Sequence, residues 1–468
     1  MTESALWTSE EIASATGGVA NTGFAVSGVA FDSREIVRGD LFIAMKGEAT
    51  DGHRFIEKAL AAGASGVLCE NAITSPHVRV SDSVAALDAL GIAARLRSQA
   101  QIVGVTGSAG KTSTKEALYK TLERAAPGRA HCSVKSYNNH VGVPLSLARM
   151  PANARYGVFE MGMNHKDELS ALTRLVRPDV AIITTIAPAH IGHFRDEAEI
   201  ADAKGEIFEG LEPGGTAIIP RDNPHFERLF AAASAHADNI MTFGRHPSSD
   251  ARVLDHVRAT NGGSLVTAEI GDRRLCYTVA APGEHWVMNS LAIMAAVHAL
   301  GADLAVAGLA LAELPGLAGR GARVRIALPG GEALLIDESY NANPASMAAT
   351  IGGLGEERAD RRIAVLGAMK ELGALSDTYH SGLAAPLASA SVDKVILVGD
   401  EMHILAETLR KSLAAPDDLA HVATASEALK VLKSWLQPGD SVLVKGSNAM
   451  GLSALVTALG ETRASEEV

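Results

Sequence analysis

The segment Gly104-Val105-Thr106-Gly107-Ser108-Ala109-Gly110-Lys111-Thr112-Ser113 constrains this chain more than any other. It closes the apolar run Ile102-Val103-Gly104-Val105 and opens a stretch of helical character, so it reads as strand, glycine-rich loop and helix in succession. Such a loop lets backbone N–H groups wrap a polyphosphate while the helix N-terminus turns its positive end toward the anion. Gly107, Ser108, Ala109, Gly110, Lys111, Thr112 and Ser113 are therefore candidate nucleotide-binding residues, Lys111 as a mobile cation and Thr112 as a hydroxyl ligand for Mg²⁺. The match is to G-x-x-G-K-T-S and not to the longer G-x-x-x-x-G-K-[ST] form, whose first glycine position is held here by Val105.

At 468 residues the chain is expected to form about three domains. Apolar strands alternate with helical stretches through most of its length: Leu41 to Met45, Gly66 to Cys69, Ile102 to Val105, Gly157 to Phe159, Val180 to Ile183 and Thr216 to Ile219, then Leu334 to Asp337, Ile363 to Gly367, Val395 to Gly399 and Ser441 to Val444. That alternation predicts an α/β chain with parallel sheets wrapped by helices. Residues 252–280 read as a polar-edged hairpin and Trp286 to Leu300 as a helix. The stretch Leu314-Pro315-Gly316-Leu317-Ala318-Gly319 reads as a linker. The expected domains are residues 1–98, 99–314 and 315–458.

A formal charge of −12 opposes non-specific binding of nucleic acid, so an anionic substrate must be held by local cations. Cys69, Cys132 and Cys276 are scattered and lack metal-type spacing, which fits reduced thiols in a cytoplasm. No run of about 18 apolar residues exists, and membrane insertion is not expected.

Ligands of a parallel sheet collect beyond the carboxyl ends of its strands. Besides the phosphate loop, two strand ends carry polar side chains: Glu160 after Val158-Phe159, and His190 and His193 after Ile182-Ile183. Glu160 is the better Mg²⁺ ligand because a hard cation prefers oxygen. The residue types alone also fit a surface acid and a polar loop histidine. Lys204 falls on the apolar face set by Ile200, Ala203, Ile207, Phe208 and Leu211, where an ammonium must be paired, neutralised or modified. A lysine snorkelling from a helix edge is the alternative. Gly205 beside it implies a close approach. Asp337-Glu338-Ser339-Tyr340-Asn341-Ala342-Asn343-Pro344 follows a strand and leads into a helix, where Asn and Pro also fit plain turn and cap chemistry, and Lys445-Gly446-Ser447 leaves another strand as either an anion-binding loop or an ordinary strand exit.

Taken in order along nearly the whole chain, these segments resemble the Mur ligases. The resemblance is carried by Phe31-Asp32-Ser33-Arg34, Gly39-Asp40-Leu41-Phe42, Asp51-Gly52-His53, the phosphate loop, Ser136-Tyr137-Asn138-Asn139, Gly142-Val143-Pro144-Leu145, Glu160-Met161-Gly162, Ala189-His190, Ala203-Lys204-Gly205-Glu206 and Ser339 to Pro344. It implies a small N-terminal domain for a UDP-sugar, a central phosphate-loop ATPase domain and a Rossmann-like C-terminal domain that closes over ATP and receives the amine. It implies that Ser33, Arg34, His53, Asn138 and Asn139 contact the UDP-linked substrate and that His285, Asn289, Arg320, Asp337, Asn341 and Asn343 contact ATP. It further implies two Mg²⁺ ions held by Thr112, Glu160, His190 and Lys204, the last as its carbamate, with Lys111, His190 and Lys204 central to catalysis. The implied activity is ATP-dependent amide formation between UDP-N-acetylmuramoyl-tripeptide and D-alanyl-D-alanine through an acyl phosphate, by a cytoplasmic enzyme expected to be a monomer. Three positions depart from the family pattern: Ala368 and Glu338 where Asp is usual, and Asn448 where Arg is common.

Overall fold

The computed structural model describes residues 5–47, 50–259, 262–314, 316–412 and 418–461. Pro315 of the expected linker lies outside them. Three main sheets follow one another along the chain.

The first has five short strands in the spatial order Val19–Ala20, His77–Arg79, Gly66–Cys69, Asp40–Ile43 and Gly28–Ala30, parallel except at Val19–Ala20. Its helix Ser83–Arg97 starts where the Asp82 carboxylate accepts from the N–H groups of Val84 and Ala85. That helix packs on Gly142–Ala148, and Gly91 allows it because a Cβ there would lie 3.1 Å from Pro144. Leu145 and Ala148 thereby enter the core built on Ile12, Leu41, Leu68 and Leu87.

The second sheet has nine strands. Six run parallel in the order Ala130–Cys132, Tyr156–Glu160, Gln101–Thr106, Val180–Ile183, Thr216–Pro220 and Asn239–Gly244. Gln101–Thr106 thus lies between strands from opposite sides of the winding, the crevice where doubly wound sheets bind ligands. The expected hairpin over 252–280 is instead three strands, Ala251–Arg258, Ser264–Ile270 and Arg273–Val279, which extend the same sheet: the first pairs parallel with Asn239–Gly244, and the three are antiparallel to one another. Their alternating polar faces are real, but the inner face of Val253, Val266, Ala268 and Val279 is buried against helix Glu284–Ala299, so they join the sheet rather than stand apart.

The third sheet runs Ala322–Leu328, Gly331–Glu338, Asp440–Lys445, Arg361–Gly367, Lys394–Val398 and Asp418–Val422, antiparallel at the first pair and parallel afterwards. One apolar cluster includes Ile186, Ile191 and Ile200 of the middle region together with Ile336, Met347, Met369 and Leu372 of the last, so the two pack as neighbours. No helix among the described residues is long and apolar enough to cross a membrane.

One half-buried histidine, His131, gives the fold a pH signature. His131 donates from Nε2 to the Ser146 carbonyl at 2.8 Å, and burial pushes its pKa from 6.5 down to about 4. An unfolded chain would take up that proton near pH 6.5 while the folded one does not until about pH 4. Stability is therefore complete above about pH 6.5 and declines as pH falls toward 4, by at most about 3 kcal/mol and by less where water reaches the ring. Thermal melts of the wild type and His131→Gln at pH 7.5 and pH 5 should show a smaller pH-dependent loss in the variant. Equal losses would remove His131 as the source.

Candidate active site

The phosphate loop leaves Thr106 and enters the helix Lys111–Ala125. Its glycines are required by geometry. Gly107 has φ +148° and a Cβ there would lie 1.9 Å from Thr184 Oγ1, while Gly110 has φ +82° and faces Asn289 at 3.0 Å. Gly104 has a different reason, since a Cβ would strike Met161 Cε at 2.5 Å; this is strand packing and not phosphate binding. The loop is pinned from the neighbouring strand end: Thr184 Oγ1 donates to the Ala109 carbonyl at 2.5 Å, and Ser108 Oγ donates to the Ala187 carbonyl at 2.8 Å. Lys111 Nζ folds back to the Gly107 carbonyl at 2.7 Å.

On the other side, Glu160 ends its strand 1% exposed. Thr112 Oγ1 donates to Glu160 Oε2 at 2.6 Å, Asn138 Nδ2 donates to Oε1 at 2.7 Å, and the Glu160 N–H donates to Ser133 Oγ at 3.0 Å. A buried carboxylate and a hydroxyl are thus held as neighbours at the mouth of the loop, a donor pair suited to Mg²⁺ that would complete its shell from phosphate oxygens and water. Among the described residues no three His, Cys, Asp or Glu side chains cluster as a self-sufficient metal site.

Lys204 is the last basic residue of the helix Glu197–Gly205 and is 1% exposed. Neither a hydrogen bond nor an ion pair engages its ammonium among the described residues. Burial, and then the Lys111 ammonium, hold its pKa well below the ordinary lysine value. Gly205 is close to the next helix, where its Cβ would meet Ala232 at 3.0 Å. His190 adopts φ +57° and pairs through Nδ1 with Glu371.

The third region closes the far wall. Asn343 caps the helix Pro344–Gly355, its Oδ1 accepting from Ser346 N–H at 2.8 Å, and its Nδ2 donates to the Ser108 carbonyl at 3.0 Å. The turn chemistry and the site contact belong to one side chain. Arg320 lies 4.1 Å above the Tyr340 ring and donates to Ser136 Oγ at 3.3 Å. Asp337 is not on the cavity wall: its oxygens accept from Gly319 N–H at 2.6 Å and from Ser339 N–H and Oγ at 3.1 and 2.6 Å, which fixes the turn that presents Arg320.

These walls enclose a cavity of about 620 Å³ lined by Ser108 to Ser113, Asn138, Glu160, His190, His285, Asn289, Arg320, Asn341 and Asn343. Lys111, Arg320 and Lys445 converge on it with Lys204 behind, and the crowding is electrostatically visible. Burial and Arg320 lower the pKa of Lys111 and of Lys445, and burial with Lys445 pushes His285 down to about 4. Positive charge held together at this cost is complementary to a polyanion.

Besides Gly107, Lys204 and Asp337, four residues chosen from sequence do not line the cavity. Arg34 is exposed and paired with Asp32 at 2.6 Å; His53 pairs with Asp51 at 2.7 Å and accepts from Glu70 N–H. Neither these nor Ser33 lines the cavity, and Asn139 Oδ1 accepts from the Gly142 N–H at 2.9 Å in the turn before Gly142–Ala148. Conversely, Asn223, Phe243, Trp286, Met288 and Glu338 line the cavity without having been singled out as site residues, and so does Lys445, whose segment reads from sequence as an anion-binding loop or an ordinary strand exit. Asn223 had a usable signal, since it follows the carboxyl end of Thr216–Pro220. Glu338 and Lys445 oppose each other at 3.5 Å across adjacent strands more than 100 positions apart, which no local pattern reveals.

A phosphate loop at the switch point of a parallel sheet, preceded by a small α/β domain and roofed by another, defines a nucleotide-binding site shared between domains. Family models match as the Mur ligase family catalytic domain over residues 25–86, the Mur ligase middle domain over 105–297 and the Mur ligase glutamate ligase domain over 320–448. The chain belongs to the Mur ligase family. Within it, the chain is similar to the UDP-N-acetylmuramoyl-tripeptide--D-alanyl-D-alanine ligase of Bacillus subtilis, 33% identical over 93% of this chain and 94% of that one. Among solved structures it is similar to MurF from Acinetobacter baumannii, with TM-score 0.83, 30% identity and coverage of 97% and 99%. It is also similar to the MurF ligase of Thermotoga maritima in complex with ADP, with TM-score 0.75, 26% identity and coverage of 95% and 99%.

Proposed function

We propose that this chain is the ATP-dependent ligase that joins D-alanyl-D-alanine to UDP-N-acetylmuramoyl-tripeptide, completing a peptidoglycan precursor. The observation that carries the reading is the cavity where phosphate loop and third-domain cations converge, in a chain alike almost end to end with ligases of these two substrates.

A carboxylate resists amine attack, so it must be activated. A tripeptide carboxylate oxygen attacks the γ-phosphorus of ATP, the bond to the bridging oxygen breaks and ADP leaves. The amine of the dipeptide then attacks the acyl carbon. The tetrahedral intermediate expels phosphate, and the amine proton passes to solvent or a base. Lys111 and Arg320 meet the charge that spreads over the transferring phosphoryl group, while the loop N–H groups fix its direction. Mg²⁺, when bound, neutralises phosphate charge, and Thr112, Glu160, His190 and Lys204 are the side chains that would hold its two ions. Lys204 serves there as its carbamate, an oxygen ligand in place of an unpaired ammonium. His285, Asn289, Asn341 and Asn343 hold the nucleotide; Asp337 acts through Arg320. Ser33, Arg34, His53, Asn138 and Asn139 serve the UDP-linked substrate, on the domain 1–98 and the edge of 99–314. The domain 315–458 receives the dipeptide. The enzyme works as a cytoplasmic monomer on small molecules and takes no nucleic acid.

Amine selectivity tests the reading. With ATP, Mg²⁺ and UDP-N-acetylmuramoyl-tripeptide, ADP release should require D-alanyl-D-alanine, with diaminopimelate, lysine and glutamate inert. A site that pairs an internal amide and a terminal carboxylate leaves buried groups unpaired when a single amino acid binds. Equal stimulation by one of those amino acids would make this a different Mur ligase.

A further inference from the structure

His190 is held from outside its own domain. The loop after Val180–Ile183 meets the turn 371–373 of the third region at three points: Nδ1 of His190 pairs with Glu371 Oε2, the Gly192 N–H donates to the Glu371 carbonyl at 3.0 Å, and Gly373 (φ +56°) sits where its Cβ would be 3.2 Å from Gly192 Cα. A side chain at Gly192 would meet the Glu371 carbonyl at 3.0 Å, so the two turns fit without room to spare. Both His190 (φ +57°) and Glu371 (φ +64°) are non-glycine residues in the left-handed region. Such conformations are disfavoured for residues that carry a Cβ and persist where surrounding contacts over-determine them. Here each turn supplies the contacts that hold the other.

We propose that Glu371 is a positioning residue, whose carboxylate accepts a hydrogen bond from His190 Nδ1–H when the third domain docks, fixing the tautomer that leaves Nε2 as the ring's free acceptor beside the cavity. A neutral imidazole carries one N–H, so the partner of one nitrogen decides the availability of the other. The inference rests on the reading of His190 as a ligand facing the triphosphate. It adds that the ligand is competent only while the turn 371–373 is docked, so docking and completion of the site become one event.

The test uses the full chain labelled with ¹⁵N-histidine at pH 8, with the His190 ring signals assigned by their loss in His190→Gln, beside ligation kinetics. The wild type should show a protonated Nδ1. Glu371→Ala should move the proton toward Nε2 and lower kcat by about 10–100-fold, with the KM for ATP changed by less than about 3-fold. Glu371→Gln keeps an acceptor oxygen, so it should retain the Nδ1–H tautomer and recover most of kcat. An unchanged tautomer in Glu371→Ala, or kcat within about 3-fold of wild type, overturns the proposal. Should Glu371→Ala fail to fold, a Gln variant with the Nε2–H tautomer overturns it equally. Absence of ligation by the wild type would reject the substrate reading instead, and the tautomer comparison would still decide the role of Glu371.

Discussion

Lys111→Ala is expected to lower kcat by about 10³-fold while leaving a folded protein that still binds nucleotide. The size follows from when the charge matters. Lys111 Nζ donates to the Gly107 carbonyl, and its ammonium is opposed by burial and by Arg320, so its largest contribution comes as phosphoryl charge develops. Removing it relieves like-charge crowding on Lys204 and Arg320 and leaves no hydrophobic cavity in the core. Turnover and melting temperature, measured together, separate the two effects. Ligation near the wild-type rate would exclude Lys111 from the transition state.

Lys204→Ala should lose activity by on the order of 10²-fold, with partial recovery in formate or acetate. The Lys204 ammonium, 1% exposed, with no paired carboxylate among the described residues and Lys111 beside it, loses its proton readily. Addition of the neutral ε-amine to the carbon of CO₂, with release of one proton, would give a carbamate whose oxygens suit a hard cation. A short carboxylate can occupy the position that the variant vacates. Incubation with ¹³CO₂ should give a carbamate ¹³C signal in the wild type and none in Lys204→Ala. A silent wild-type spectrum together with an active alanine variant contradicts the carbamate.

Much of this site could be read from the chain because parallel sheets place function at strand ends. The phosphate loop, Glu160 and His190 each follow an apolar run that the structure shows as a strand of the central sheet, and Lys204 stands out because an apolar helical face contains one charge. What was lost depends on long-range geometry. Ala130–Cys132, Asn239–Gly244 and Asp418–Val422 are sheet members whose short or polar-interrupted sequences do not stand out, and their pairing partners decide their fate. The stretch 252–280 shows the alternation of a hairpin, but alternation does not say whether an edge is free, and here Asn239–Gly244 takes it up. A nucleotide contact for Asp337 is implied by the family resemblance alone; its oxygens accept from Gly319 and Ser339, a local turn that the sequence does not distinguish from a binding loop. Lys445, Glu338 and the Glu371 contact with His190 arise from strand order and domain docking, which residues distant in sequence do not announce.

The central claim is that the cavity activates a carboxylate by phosphoryl transfer before the amine attacks. It is tested most directly by labelling both oxygens of the reacting tripeptide carboxylate with ¹⁸O and analysing the products by mass spectrometry. Phosphoryl transfer to that carboxylate predicts one ¹⁸O in each phosphate released, with the other retained in the new amide, and no phosphate formed without D-alanyl-D-alanine beyond a slow background. Phosphate free of ¹⁸O, formed at the rate of ADP release, would contradict the account.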